Sequence, residues 1–188
     1  MQRPGYGLYT YRIDAQDRVV HLSENWLAFA RENGAEERCH PDKVLGRRIW
    51  DFVAGDETRH LYELVFERVR SGSHAVTVEF RCDAPGEERF CQLAIISKGQ
   101  GVMELYSKIS RTRARPPVRL LDPGAPRSSA LIRICSVCKR VSLPEDQWAE
   151  VEVAIRRLKL FEQPQLPQIT HVVCPDCHRA VADELQKL

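Results

Sequence analysis

Two Cys-x-x-Cys pairs constrain this chain more than any other feature. Cys135-Ser-Val-Cys138 and Cys174-Pro-Asp-Cys177 both fall in its last third. A Cys-x-x-Cys turn can place two sulfurs on one metal ion, and a second turn completes a tetrahedral four-thiolate shell. Such a closed shell leaves no open position for substrate, so it points to a structural zinc site rather than to catalysis. The gap between the pairs holds 35 residues, longer than the roughly 15–20 of common paired-cysteine ribbons. It must therefore contain structure of its own. Ser142-Leu143-Pro144-Glu145 has the form of a capping box. Trp148, Val151, Ile155 and Leu158 then recur on one helical face, which predicts a helix over 144–160 ended by Pro164 and Pro167. A second helix is predicted from Pro175, with Val181, Leu185 and Leu188 on one side.

His171 and His178 flank the second pair and could replace a cysteine as ligand, but four sulfurs already fill a tetrahedron. His171 could instead donate a hydrogen bond to a sulfur. A pair of disulfides is the competing reading. Met1-Gln2-Arg3-Pro4 opens no signal peptide, and no apolar run reaches membrane length. A reducing, cytoplasmic setting without membrane partners is the expectation, and disulfides are disfavoured there.

Net charge is +2, but its distribution is uneven. Residues 111–133 carry Arg111, Arg113, Arg115, Arg119, Arg127 and Arg133 against one acid, Asp122, among Pro116, Pro117, Pro123, Gly124 and Pro126. That composition reads as a linker without a core. Arginines there could contact nucleic-acid phosphates. No aromatic residues interleave them, so a solvated connection is favoured. Three parts result: a first domain over 1–110, an Arg/Pro-rich linker over 111–133, and a zinc-bound, mainly helical module over 134–188. The last has 55 residues, a size at which a core is marginal without a staple.

In the first domain, Tyr9–Asp14 and Arg18–Leu22 read as a hairpin. Ser23 is a plausible cap for a helix over Glu24–Asn33, with Gly34 as its stop. A short helical piece holds Ile49, Trp50, Phe52 and Val53. The strongest helix spans Asp56–Arg70, with Leu61, Leu64, Val65, Arg68 and Val69 tracing its inner face. Strands His74–Cys82, Phe90–Ser97 and Val102–Ser110 follow. Two strands, several helices and three strands suit an α+β fold, a five-stranded antiparallel sheet with helices on one face. Asp51, Asp56 and Glu57 fall at a helix start, where the dipole stabilises acids; they read as capping.

The run Ser23-Glu24-Asn25-Trp26, the run Val44-Leu45-Gly46-Arg47-Arg48-Ile49-Trp50-Asp51-Phe52, the long helix and the closing strands resemble the PAS sensory domain family over roughly 6–110. The segment from Cys135 through Lys139-Arg140-Val141 and Trp148 to Ile169–Cys177 looks like the cysteine-bearing segment after some sensory domains of bacterial signalling proteins. The resemblance implies a bacterial signal-transduction accessory whose sheet and helices can enclose haem, flavin or a metabolite. The photoreactive flavin subgroup needs a cysteine where Gly46–Trp50 stands, and none is present. For haem, the candidate axial ligands are His60 and His74. Homodimerisation is expected by analogy with the family.

Cys82 and Cys91 could face each other across a hairpin and act as a redox switch, although two packed thiols are the commoner case in a reducing cell. Cys39 falls in a polar loop. No phosphate loop, nucleophile motif or kinase signature is present. The leading expectation is thus a non-enzymatic sensor relaying a signal by protein docking, with the apolar face of helix 144–160 as the docking part. A nucleic-acid-binding regulator and a zinc-thiolate redox sensor are the alternatives.

Overall fold

The computed structural model describes residues 7–72 and 75–186. The first sheet holds β1 (Leu8–Ile13), β2 (Val19–Leu22), β3 (Ala75–Arg81), β4 (Glu87–Gly99) and β5 (Val102–Ala114). Its order is β2-β1-β5-β4-β3, and every pairing is antiparallel. Between β2 and β3 the chain forms α1 (Trp26–Glu32), α2 (Glu36–Cys39), α3 (Pro41–Val44), a 3-10 turn at Ile49–Phe52 and α4 (Asp56–Ser71). The α+β arrangement expected from the element order is therefore observed. His74, expected to open β3, lies outside the described residues.

Local chemistry explains most of these elements. Asp14 accepts hydrogen bonds from the amides of Gln16 and Arg18, which closes the first hairpin. Ser23 does not cap α1; it binds Thr10 N and Asn25 instead, and the helix starts at Trp26 without a side-chain cap. Long α4 buries Leu61, Val65, Phe66 and Val69 against Val76, Leu93, Ile95, Met103 and Leu105 of the sheet. These recur at helical spacing on one side and at every second residue along β4 and β5, so one face of each element meets the other.

The central strand of this sheet also carries a buried charge. Glu104 is about nine-tenths buried and binds Arg12, Lys98 and Tyr106. Hydrogen bonds from Lys98 and Tyr106 outweigh desolvation and lower its pKa from 4.5 to about 2. A lowered carboxylate stabilises the fold above its unfolded pKa and loses that contribution as pH falls through the folded one. Stability therefore drops between about pH 4.5 and 2, and Glu104→Gln flattens that part of the pH–stability curve. Urea midpoints measured across the window check this.

Beyond Ala114 the structure departs from the sequence reading. A second sheet holds β6 (Arg127–Cys135), β7 (Val141–Ser142), β8 (Trp148–Ala149) and β9 (Leu166–Val172), in the order β8-β7-β6-β9. β6 and β9 are parallel, and the crossover carries α5 (Val151–Arg157) and a 3-10 turn at Leu160–Glu162. The final helix, α6, spans Pro175–Gln186. Leu188, expected on its inner face, lies outside the described residues. The second unit is thus an α/β layer rather than mainly helical.

Residues 111–133 are not a solvated linker. Arg111–Ala114 extend β5, and Val118, Leu120, Ala125 and Ile132 are buried with Ile134, Val141, Val151 and Ile155 in a second core. The capping box is not used either. Ser142 pairs in β7, Glu145 and Asp146 turn with positive φ, and the helix begins only at Val151. The expected docking face of 144–160 is spent inside: Val151, Ala154 and Ile155 are buried, and Trp148 packs against the first core.

Candidate metal centre and the cavity beside it

The four cysteines lie at one end of the second sheet. Cys135 ends β6, Cys138 closes the turn after it, and Cys174 and Cys177 flank the start of α6. Within the first turn Cys135 N donates to Arg140 O at 2.8 Å, and Lys139 N donates to Cys135 O at 3.0 Å. Lys139 takes a left-handed φ of 63° to complete it. Parallel pairing of Ile134 with His171 and Cys135 with Val172 brings the second turn alongside.

All four sulfurs lie within 4.8 Å of one another. Cys138 Sγ and Cys174 Sγ are 3.7 Å apart. Zinc–sulfur bonds of about 2.3 Å in a tetrahedron require sulfur–sulfur edges of about 3.8 Å. A disulfide needs about 2.05 Å, and all four cysteines are free thiols. Cys135 and Cys174 are fully buried. The Cys174 amide donates to Cys135 Sγ at 3.4 Å. Arg140 donates through Nε to Cys138 Sγ at 3.3 Å and through Nη2 to Cys174 Sγ at 3.5 Å, and the same Nη2 donates to Asp176 at 2.8 Å. Donors aimed at sulfur stabilise thiolates, the form that binds metal. Hydrogen bonds with Cys138 and Cys177 pull the Cys135 thiol down, and those with Cys135 and Cys138 push Cys177 up. The residues present fit a closed metal site.

Neither histidine joins this cluster. His178 is exposed on α6, and His171 points to a cavity instead. Sequence reading missed Arg140, whose only signal was its place two residues after Cys138.

The cysteine-bearing unit is seated on the N-terminal end of α4. Glu57 accepts the Val173 amide at 2.8 Å, and Thr58 and Ser136 share a 2.6 Å hydrogen bond. Arg81 N on the edge of β3 donates to Val137 O at 2.7 Å. Glu57 therefore does more than favour the helix dipole. Gly55 permits the approach. It has φ 88°, and a Cβ there would stand 2.2 Å from the His171 carbonyl oxygen. Gly55→Ala is expected to cost about 3 kcal/mol through backbone strain and displacement of β9. A lowered denaturant midpoint with faster amide exchange at 170–174 checks it.

A second tie is ionic. Arg81, Asp83, Glu88 and Arg115 have side-chain exposures of 9, 1, 5 and 6 %. Arg81 binds Asp83 at 2.5 Å and Glu150 at 2.6 Å, and Arg115 binds Asp83 at 3.2 Å and Glu152 at 3.1 Å. Arg113 meets Glu88 at 2.6 Å. Arg113 holds the Glu88 carboxyl below its usual range, and burial opposes that shift. Glu88, Glu150 and Glu152 converge as a cation site would, yet Arg81, Arg113 and Arg115 already balance them. The arginines of 111–133 are thus largely committed: Arg127 donates to the carbonyls of Leu120, Asp122 and Pro167, and Arg111 stacks 4.0 Å over Phe90.

Between α4, the sheet and the cysteine-bearing turns lies a cavity of about 400 Å³. Val65, Leu61, Phe66, Val78 and Phe80 form its apolar wall, and Ser136, Val137, Lys139 and His171 close it from the second unit. Burial and Lys139 together hold the His171 imidazole below its ordinary pKa. Its volume falls within the range of small-molecule sites. Of the haem-ligand candidates, His60 is exposed on the outer side of α4 beside Glu63, and His74 lies outside the described residues. Cys91 pairs with Phe80, and Cys82 lies beyond the end of β3. The two are therefore not directly opposed; Cys91 is buried and its thiol pushed up to about 12 by desolvation, while Cys82 is exposed. Cys39 lines the cavity, and its carbonyl accepts Trp26 Nε1 at 2.8 Å. Among the described residues no helix is long and apolar enough to cross a membrane.

No family model matches the chain, and no curated protein matches it. Among solved structures it is similar to the photoactive yellow protein domain of the sensor histidine kinase Ppr from Rhodospirillum centenum. That similarity has a TM-score of 0.40 and 14% identity, over 54% of this chain and 90% of the other.

Proposed function

We propose that the chain is a non-enzymatic signal-transduction protein of bacterial type. Its PAS-like unit receives a small-molecule signal, and its zinc-stapled unit relays the signal by docking to a protein partner. The observation that carries this reading is the shared cavity: Val65 and Phe80 belong to the first unit, and Ser136, Lys139 and His171 to the second. An occupant would touch both units at once. Binding energy that differs between two arrangements of the units is what shifts a population. Cys135, Cys138, Cys174 and Cys177 would hold zinc, which supplies a closed, structural thiolate site. Seating of the cysteine turns on Glu57, Thr58 and Arg81 supports a coupling between that site and the cavity. Burial of Arg115, the contacts of Arg127 to backbone carbonyls and the pairing of Arg113 with Glu88 speak against a nucleic-acid reading.

Elemental analysis with an absorbance spectrum of the purified protein tests the assignment. One zinc per chain without a haem or flavin band supports it. A chain free of metal, or one carrying a coloured cofactor at full occupancy, overturns the assignment as stated.

A further inference from the structure

We infer that the cavity takes an apolar carboxylic acid, with its carboxylate held at the Lys139 ammonium. The inference rests on the cavity being the sensory site. Its lining is apolar over most of its extent and includes no Asp or Glu. Two cations border it. Arg81 is neutralised by Asp83, Glu88 and Glu150. Lys139 has no carboxylate partner among the described residues; its Nζ donates to the Ser136 carbonyl at 3.1 Å. A half-buried ammonium facing an apolar space favours an anion over a neutral or cationic occupant.

The remaining polar groups agree. Tyr11 and Tyr62 line the same space, and neither hydroxyl has a hydrogen-bond partner among the described residues. Desolvation raises Tyr62 to about 12 and Tyr11 further, so both remain neutral phenols able to donate. A basic ligand would find no carboxylate. A purely apolar one would leave the Lys139 charge without a counter-ion and give the two phenols no acceptor, which costs affinity. A short aromatic or aliphatic monocarboxylate suits the donors and the walls together. Because Lys139 directly follows Cys138, its carboxylate would engage the metal-bearing turn while its body packs on α4.

The test is titration calorimetry of the full zinc-loaded chain with phenylbutyrate, phenylbutanol and phenylbutylamine, repeated with octanoate and octanol. The acids are expected to bind at least about tenfold more tightly than the matching alcohols, and the amine not to bind. Lys139→Gln should remove that advantage and leave alcohol binding unchanged, with zinc content measured to show the site intact. Equal affinity for acid and alcohol in the wild-type chain overturns the inference but keeps a sensory cavity. Absence of binding by every acid and alcohol overturns both this inference and the cavity reading beneath it.

Discussion

Chelating the metal is expected to unfold the second unit and open the cavity. Cys135 and Cys174 are fully buried and tie the end of β6 to the start of α6. Pairing of Cys135 with Val172 also joins those ends, but the neighbouring β7 and β8 are only two residues each and add little. Binding free energies of structural zinc sites are on the order of 10 kcal/mol at neutral pH, comparable to the whole stability of an ordinary domain. Loss of the metal would leave four thiols packed together beside Arg140, whose charge would lose its thiolate partners. Amide exchange in β6, β7 and β9 should rise sharply, with loss of circular dichroism and of the Thr58–Ser136 contact. Cys135→Ser should behave as the chelated protein does. Metal-free protein, verified by mass spectrometry, that keeps unchanged dichroism and exchange would refute the structural role. By linkage, any ligand that prefers the closed cavity should slow metal loss.

Truncating Arg81 is expected to be the next most damaging change. Arg81→Met removes the partner of Asp83 and Glu150 and leaves a carboxylate of 1 % exposure relying on Arg115 alone. Breaking a buried pair from one side costs about 3–5 kcal/mol, since the remaining charge stays desolvated. For a chain of this size that corresponds to a melting temperature lower by roughly 10 °C. Adding Asp83→Asn should recover part of the loss, since the orphaned charge is gone. Additive losses in the double variant would show that the two side chains do not act as a pair. Glu150 directly precedes α5, so the same substitution should also loosen that helix in exchange measurements.

The first unit was legible because its signals are local and periodic. Asp56 to Ser71 buries a residue at nearly every turn, and β4 and β5 alternate along their lengths. The four cysteines were legible by spacing alone. The second sheet was not. β6 carries Arg127, Ser128, Ser129 and Arg133, and its partner β9 lies beyond a crossover of about thirty residues. Parallel pairing over such a distance leaves no hairpin signature. Charge misled in the same way, because the acids that balance Arg113 and Arg115 are at 83, 88 and 152.

By itself the sequence determined the α+β class of the first unit, the long helix and the grouping of the four cysteines. Each follows from residues close together in the chain. Only the tertiary structure decided that residues 111–133 belong to a core, that Arg140 serves the cysteines, and that Lys139 and His171 close a cavity. Those outcomes depend on which distant groups share one buried space, and desolvation makes that choice: a charge or a polar strand can be buried only where its partners already are.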